Sequence, residues 1–561
     1  MAITSRCTIF STVRSKRFFL ARLLTLILFL YAGKGMQTWE YSPEYAIRSY
    51  SYVYGVFKFL QVFTHLFPSF EKIDLFIMTR IVLGVAYAFA ETEFVYAIKE
   101  TYNKSNIVPL VTIGFLLSSP GIFYCSTSFL PSASASIFVM LATAAWLNCQ
   151  NYLCIMYGSI AVLWLGWPFV AVVFLPFGIA MLAQIYFSNP KFIDKIQNLF
   201  EFSMKVIIII VLVGIPAAYI DTYYYQRKTS PLLNILFYNA GGNGDELYGI
   251  EDISYYFKNL FLNLGVIWPL AVATPIILLR NSLNKLDNNS TKLLVILCSC
   301  GLWMGILMSR PHKEERFMYP IYPLLSVLAA TSLCYFTDMV MTVFGDYETL
   351  IDAPFKLVKA ENILKLAVVV GVIGLNTMLF SSRILSNYQN YNGLQGLWRD
   401  VYDITKKTNP RNPLRVCTGN EWYHFPSHFY LPNHLSLAFV DDGFKGQLPQ
   451  YYDAVNGTFS THTHRFNDQN KEEISRYVSL DSCNYVVLLR QSKFNQENKK
   501  IIEELLNKAG KKFQLLRSKP IIDKLGSSNS LTRAYFIPTL SHADSVYINY
   551  EFYENIDEIQ G

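Results

Sequence analysis

Five ionisable side chains stand in a row within Ser309-Arg310-Pro311-His312-Lys313-Glu314-Glu315-Arg316-Phe317-Met318-Tyr319-Pro320, and apolar runs flank the segment on both sides. A charge run at the end of an apolar run is usually a solvated anchor. This one mixes signs and contains a histidine, so it is not a simple positive flank. Lys313 and Arg316 at a bilayer face can hold a lipid phosphate, while Glu314 and Glu315 can hold those cations or accept from sugar hydroxyls. A second group combines Trp39, Tyr41 and Arg48 with Glu40 and Glu44. Its aromatic rings can stack on sugar faces, although an interfacial aromatic belt is the plainer reading. Further carboxylates are Asp245, Glu246, Glu251 and Asp252 in one loop, and Glu91 and Glu93 beside an apolar run, where acids are functional suspects. His424 and His428 have a metal-like spacing, but Pro426 between them argues against a shared helix face. No metal site and no cofactor are expected.

The elements that position these residues are membrane helices. Of 561 residues, 52% are hydrophobic and 16% charged, against about 25% charged in soluble domains. The mean hydropathy is +0.25. The net charge of +7 lies mostly at the flanks of apolar runs, which sets membrane orientation and excludes a nucleic-acid stripe. Runs of spanning length occupy 205–221, 260–279, 292–309, 319–336 and 363–380; weaker or fused ones occupy 18–32, 51–67, 76–95, 105–124, 133–148 and 154–186. About eleven spans are expected, within a membrane module over 1–380. The first run follows Arg6, Arg14, Lys16 and Arg17 and reads as a signal anchor with a cytosolic N-terminus.

Residues 381–561 form a polar region that reads as a small α/β domain. Its strands are expected at Leu414–Cys417, Leu435–Val440, Tyr485–Leu489 and Ala534–Ile537, with a helix at Gln496–Ala509. The sequon at Asn456 and a possible Cys417–Cys483 pair place it in an oxidising lumen. Counting spans backwards puts the 310–318 and 222–259 loops in the lumen as well. Asn456 is then expected to carry glycan, while the sequons at Asn288 and Asn289 are not.

His312–Phe317 resembles the His-Lys-Glu-x-Arg-Phe signature of glycosyltransferase family 22. Further resemblances to the dolichyl-phosphate-mannose-dependent alpha-1,2-mannosyltransferases of that family run in order along the chain. They include Gly33–Tyr50, Phe129–Ser132, Leu165–Phe169, Asn234–Asn239, Leu247–Gly249, Val416–Ser427 and Asp441–Phe444. The resemblance implies a GT-C fold in the endoplasmic reticulum membrane, with a luminal active site. It implies dolichyl-phosphate-mannose as donor and dolichyl-diphosphate oligosaccharides of six and then eight mannoses as acceptors. Mannose transfer would proceed with inversion, so a carboxylate base must take the acceptor hydroxyl proton. His312, Lys313, Glu314, Glu315, Arg316, Phe317, Trp39, Tyr41 and Arg48 are the implied substrate-binding residues.

One departure bears on the base. Family members carry a short acidic cluster between the first span and the Gly-Lys-Gly segment, and the resemblance puts the base there. Here Leu28-Phe-Leu-Tyr31 passes directly into Ala32-Gly33-Lys34. No residue inherits the role, and Glu40 and Glu44 are the remaining carboxylates of that loop. The chain as it stands is therefore expected to transfer poorly or not at all. Three alternatives remain open here: a sister enzyme of the alpha-1,6 branch, one of glycosylphosphatidylinositol-anchor assembly, and a non-catalytic lipid-glycan-binding homologue.

Overall fold

The computed structural model describes residues 35–556 except 103–106, 189, 241–246, 248, 283–287, 345–359, 409, 411, 454, 460–465, 491–506 and 508–511. The expected first span, the helix at Gln496–Ala509 apart from Asn507, and the carboxylates Asp245 and Glu246 lie outside the described residues. Two compact units form: Met1–Val82, Ile220–Leu247 and Ser382–Gly561 in one, Leu83–Tyr219 and Tyr248–Ser381 in the other.

The described α-helices of six or more residues are α1 (Tyr50–Leu66), α2 (Lys72–Thr101), α3 (Ile107–Leu117), α4 (Pro120–Cys125), α5 (Pro131–Leu147), α6 (Asn151–Ser159) and α7 (Ala171–Ser188). They continue with α8 (Phe192–Tyr225), α9 (Pro231–Ala240), α10 (Ser254–Leu264), α11 (Ile267–Ser282), α12 (Asn288–Ser309), α13 (Tyr322–Phe344) and α14 (Ala360–Thr405). Among the described residues six helices are long and apolar enough to cross a membrane, or seven if the bent pair α10–α11 counts as one span. The chain is thus a multi-pass membrane protein. α3 and α5 are apolar but shorter, as is the helical stretch Asn151–Trp164.

Three expected runs are broken rather than straight. The 260–279 run bends by 110° between α10 and α11. Gly265 makes the corner with φ +61, a left-handed conformation that costs glycine no steric penalty. A Cβ there would lie 2.3 Å from Asn376 Oδ1, the atom that accepts from Val266 N at 2.9 Å. The 105–124 run stops at Leu117 and restarts at Pro120, where Ser119 Oγ accepts from Ile122 N as an N-cap. The 154–186 run passes through a π-turn at Ile160–Trp164 and a left-handed Gly166 before Pro168 begins the next helical segment.

The polar C-terminal region folds around a five-stranded sheet of order β3-β2-β5-β7-β6. Its strands are β2 (Leu414–Thr418), β3 (Leu435–Phe439), β5 (Tyr485–Leu489), β6 (Phe513–Ile522) and β7 (Tyr547–Asn555). β2 is parallel to both β3 and β5, while β7 runs antiparallel to β5 and β6. The strand expected at Ala534–Ile537 is not one. Its backbone groups bond to α14 instead: Arg383 Nη1 donates to Ala534 O at 2.8 Å, and Ser382 Oγ to Phe536 O at 2.9 Å. β6 holds Pro520, which removes a donor and suits its place at the sheet edge. A two-stranded ribbon joins β1 (Met36–Gln37), at the start of the first loop, to β4 (Gln450–Tyr451).

A Cys417–Cys483 disulfide lies at the centre of the domain core, with Val440, Leu480, Val486, Leu488, Phe513 and Tyr553 around it. It closes a separation of 66 residues. Replacing Cys417 by Ser is expected to lower stability by about 2–4 kcal/mol. The unfolding midpoint of the detergent-solubilised chain reads this, and an unmoved midpoint would make the bridge incidental.

Candidate active site

The first loop folds tightly over residues 38–50. Tyr41 N donates to Thr38 O, Ala46 N to Ser42 O and Ile47 N to Glu40 O, at 3.0, 2.8 and 3.1 Å. These bonds bring Glu40 to Arg48, whose Nη2 donates to Glu40 Oε1 at 2.8 Å and whose Nε does so at 3.3 Å. Glu40 is buried and its carboxylate is engaged by the guanidinium, whereas Glu44 is exposed. Trp39 and Tyr41 are 6% and 3% exposed, so neither ring offers a free face. Trp39 packs against Tyr45 and Tyr238 at 5.4 and 5.3 Å, and Tyr41 against Tyr50 at 5.3 Å. Of the five residues expected in this loop, Trp39, Glu40 and Tyr41 form its interior, Arg48 pairs with Glu40, and Glu44 stands at the surface.

In the other unit, the motif loop leaves α12 at Ser309 and enters a 3-10 turn, Glu315–Ile321, that leads into α13. Glu314 is its hub. One oxygen, Oε1, takes His312 Nε2 at 3.0 Å and Arg316 Nη2 at 2.5 Å. His312 Nδ1 lies 3.1 Å from Gly249 O. Both His312 partners are acceptors, so only the protonated ring satisfies both. Burial pushes the His312 pKa down, but Glu314 and the Gly249 carbonyl push it further up, and the net shift is upward. For Glu314 burial acts upward, and Arg316 and His312 overcome it, holding the carboxyl below its ordinary value. Gly249 adopts φ +103, which a side chain would strain.

Lys313 is buried, and its ammonium donates to Glu251 O at 2.8 Å and Arg310 O at 2.5 Å. With Glu251 N donating to Pro311 O at 3.1 Å, these bonds lace the motif loop to residues 249–251. Trp303 Nε1 donates to Phe317 O at 2.9 Å and fixes the loop's exit. Glu315 is also buried. The arrangement closes a positive, carboxylate-centred loop at the end of an apolar helix. Arg316 gives Nη2 to Glu314, and a planar guanidinium is the kind of donor group that suits a phosphate.

A family model described as the Alg9-like mannosyltransferase family matches residues 24–432. The chain belongs to the Alg9-like mannosyltransferase family. Alpha-1,2-mannosyltransferase ALG9 of Mus musculus is 31% identical over 534 residues, covering 93% of this chain and 82% of the relative. Its Saccharomyces cerevisiae counterpart is 30% identical over 481 residues, covering 82% and 77%. GPI mannosyltransferase 3 of Emericella nidulans matches over only 123 residues, 21% of this chain and 18% of that relative. The crystal structure of ArnT from Cupriavidus metallidurans bound to undecaprenyl phosphate superposes with a TM-score of 0.51 at 11% identity, covering 98% of this chain and 96% of that one. The Alg9-like chain thus shares the fold of ArnT, the GT-C fold expected of its family, and it is a mannosyltransferase of that family.

Several functional-looking residues of this Alg9-like chain escaped sequence reading. Asp221 is buried although it closes an apolar run; an acid at the edge of a span was the signal that could have found it. Glu421 in the C-terminal domain accepts from Leu489 N at 3.2 Å. Burial, then the Asp442 charge, push its pKa up to about 8. His424 and His428 are both buried and occupy separate short turns. Among the described residues no group of three His, Cys, Asp or Glu could hold a metal ion. Glu91 is buried in α2, whereas Glu93, Glu251 and Asp252 are exposed.

Proposed function

We propose that this chain is the endoplasmic reticulum alpha-1,2-mannosyltransferase that moves mannose, with inversion, from dolichyl-phosphate-mannose to the six-mannose and eight-mannose dolichyl-diphosphate oligosaccharides. The observation that carries the reading is the His312–Glu314–Arg316 triad formed by the family signature, within a likeness that covers 93% of the chain. In this reading Arg316, oriented by Glu314, meets the donor phosphate and neutralises it as it leaves. His312 adds a second positive charge to the same carboxylate, and Lys313 holds the loop's shape through two carbonyls. Six or seven of the described helices can cross a membrane; the reading takes about eleven spans in all, with the motif loop, the first loop and residues 381–561 in the lumen, and the Cys417–Cys483 bridge supports an oxidising compartment for the last of these.

The base is where this chain falls short. Glu40 is committed to Arg48 and Glu44 is the one exposed carboxylate of the described first loop, so transfer is slow until an acid is supplied. The test is transfer from labelled dolichyl-phosphate-mannose to the six-mannose acceptor, with the linkage read by an alpha-1,2-specific mannosidase. Product on a glycosylphosphatidylinositol precursor, with none on the six-mannose lipid, would overturn the reading. Orientation is read by glycan mapping: glycan is expected at Asn456, and glycan at Asn288 with none at Asn456 would invert the assigned topology.

A further inference from the structure

One short segment fastens the first loop through three side chains. Asp221, at the end of α8, accepts from Ser49 Oγ at 3.0 Å with each oxygen and from Tyr50 N at 2.7 Å. It thereby meets the open N–H end of α1, where a negative charge is favoured. One turn later Tyr225 Oη donates to Arg48 O at 2.7 Å. Asn234 Nδ2 donates to Tyr45 O at 3.2 Å and to Ala46 O at 3.0 Å. Ala46 is fully buried with φ 45, a left-handed conformation that strains a non-glycine residue. Such strain persists only where the surroundings over-determine the backbone, and the carbonyl of this very residue is the one Asn234 holds.

The outer side of the clamped loop has a definite chemistry. Glu44 is exposed; its neighbour Tyr45 is half-buried, and so is Tyr238, which packs with Tyr45 against Trp39. Both rings are fixed through their hydroxyls, Tyr45 to Phe466 O at 3.1 Å and Tyr238 to Asp468 O at 3.5 Å. A carboxylate next to held aromatic rings suits sugar hydroxyls and C–H faces. Arg48 is paired with Glu40, and Arg227 Nη2 donates to Glu44 O at 3.4 Å, so the two arginines that touch this loop each engage one of its own oxygens. We propose that Asp221, with Tyr225 and Asn234, is the positioning group for the acceptor: it holds the first loop in the strained shape in which Glu44, Tyr45 and Tyr238 contact the acceptor oligosaccharide. The proposal rests on the mannosyltransferase reading and adds the place where the acceptor glycan docks.

The experiment is equilibrium binding to the purified full chain, with the six-mannose dolichyl-diphosphate lipid and dolichyl-phosphate-mannose as separate probes. Asp221→Asn and Asn234→Ala should each weaken acceptor binding about tenfold, as losing a well-made hydrogen bond does, and leave donor binding unchanged. Adding Ala46→Gly to Asn234→Ala should recover most of the acceptor affinity, because glycine adopts the loop conformation without being held. A purely structural role for Asn234 predicts no such rescue. Unchanged acceptor binding, or parallel loss of both lipids, overturns the proposal. A parent chain that binds neither lipid overturns the mannosyltransferase reading itself, and this inference with it.

Discussion

Inserting a short Asp-containing segment between Tyr31 and Gly33 will raise mannose transfer by about 10²–10⁴-fold, the range a positioned general base contributes. An acceptor hydroxyl is a weak nucleophile, and inversion leaves the enzyme no covalent intermediate to share the work. The two carboxylates of the described first loop are poorly placed to replace that base. Glu40 Oε1 holds two nitrogens of Arg48, and withdrawing it would leave a half-buried guanidinium short of its partner. Glu44 sits exposed, where no described side chain fixes its direction. The insertion has a firm edge on one side: Gly35 O accepts from Tyr452 N at 3.2 Å, and β1 follows on β4. The measurement is complementation of cells that accumulate the six-mannose precursor, by the parent chain and by the inserted one. Full rescue by the parent would mean that Glu40 or Glu44 serves as the base, and the account of the gap would be wrong.

What the sequence made legible follows from the range of each interaction. Apolar runs declare helices locally, so α8, α12 and α13 fall where hydropathy puts them. Three of the four expected strands are short hydrophobic runs between turns, and they form. The failures are non-local. At Ala534–Ile537 the residues look like a strand, but Ser382 and Arg383 of α14 take their backbone groups, which no local pattern reveals. The bend at Gly265 needed Asn376, 111 residues away, to fill its inner side. In the motif loop the residue types pointed to phosphate chemistry, yet Lys313 and Arg316 differ in use: one is bound to carbonyls, the other to a carboxylate. Charge alone does not separate the two. Asp221 was hidden because its partners, Ser49 and Tyr50, lie in another element.

Glu314→Gln will abolish most donor-dependent transfer even in a chain supplied with its base. Glu314 Oε1 is shared by two cations in a largely buried loop, and removing its charge takes that carboxylate from both His312 and Arg316. Breaking a buried pair from one side costs about 3–5 kcal/mol, roughly 10²–10⁴-fold in rate if the whole cost falls on the transition state. Arg316→Lys should be nearly as damaging as Arg316→Ala, since a single ammonium cannot serve Glu314 and a phosphate with separate nitrogens. A pH profile supplies a second readout. His312 has a raised pKa in the folded chain, so its contribution is complete below its ordinary value of 6.5 and is lost as pH rises through the folded value. Wild-type transfer should therefore fall on the alkaline side. In Glu314→Gln that limb should move to lower pH, because burial then acts on His312 without the carboxylate that opposed it. Transfer at wild-type rates in Glu314→Gln, with an unmoved alkaline limb, would reduce the motif loop to a membrane anchor and would take the phosphate role away from Arg316.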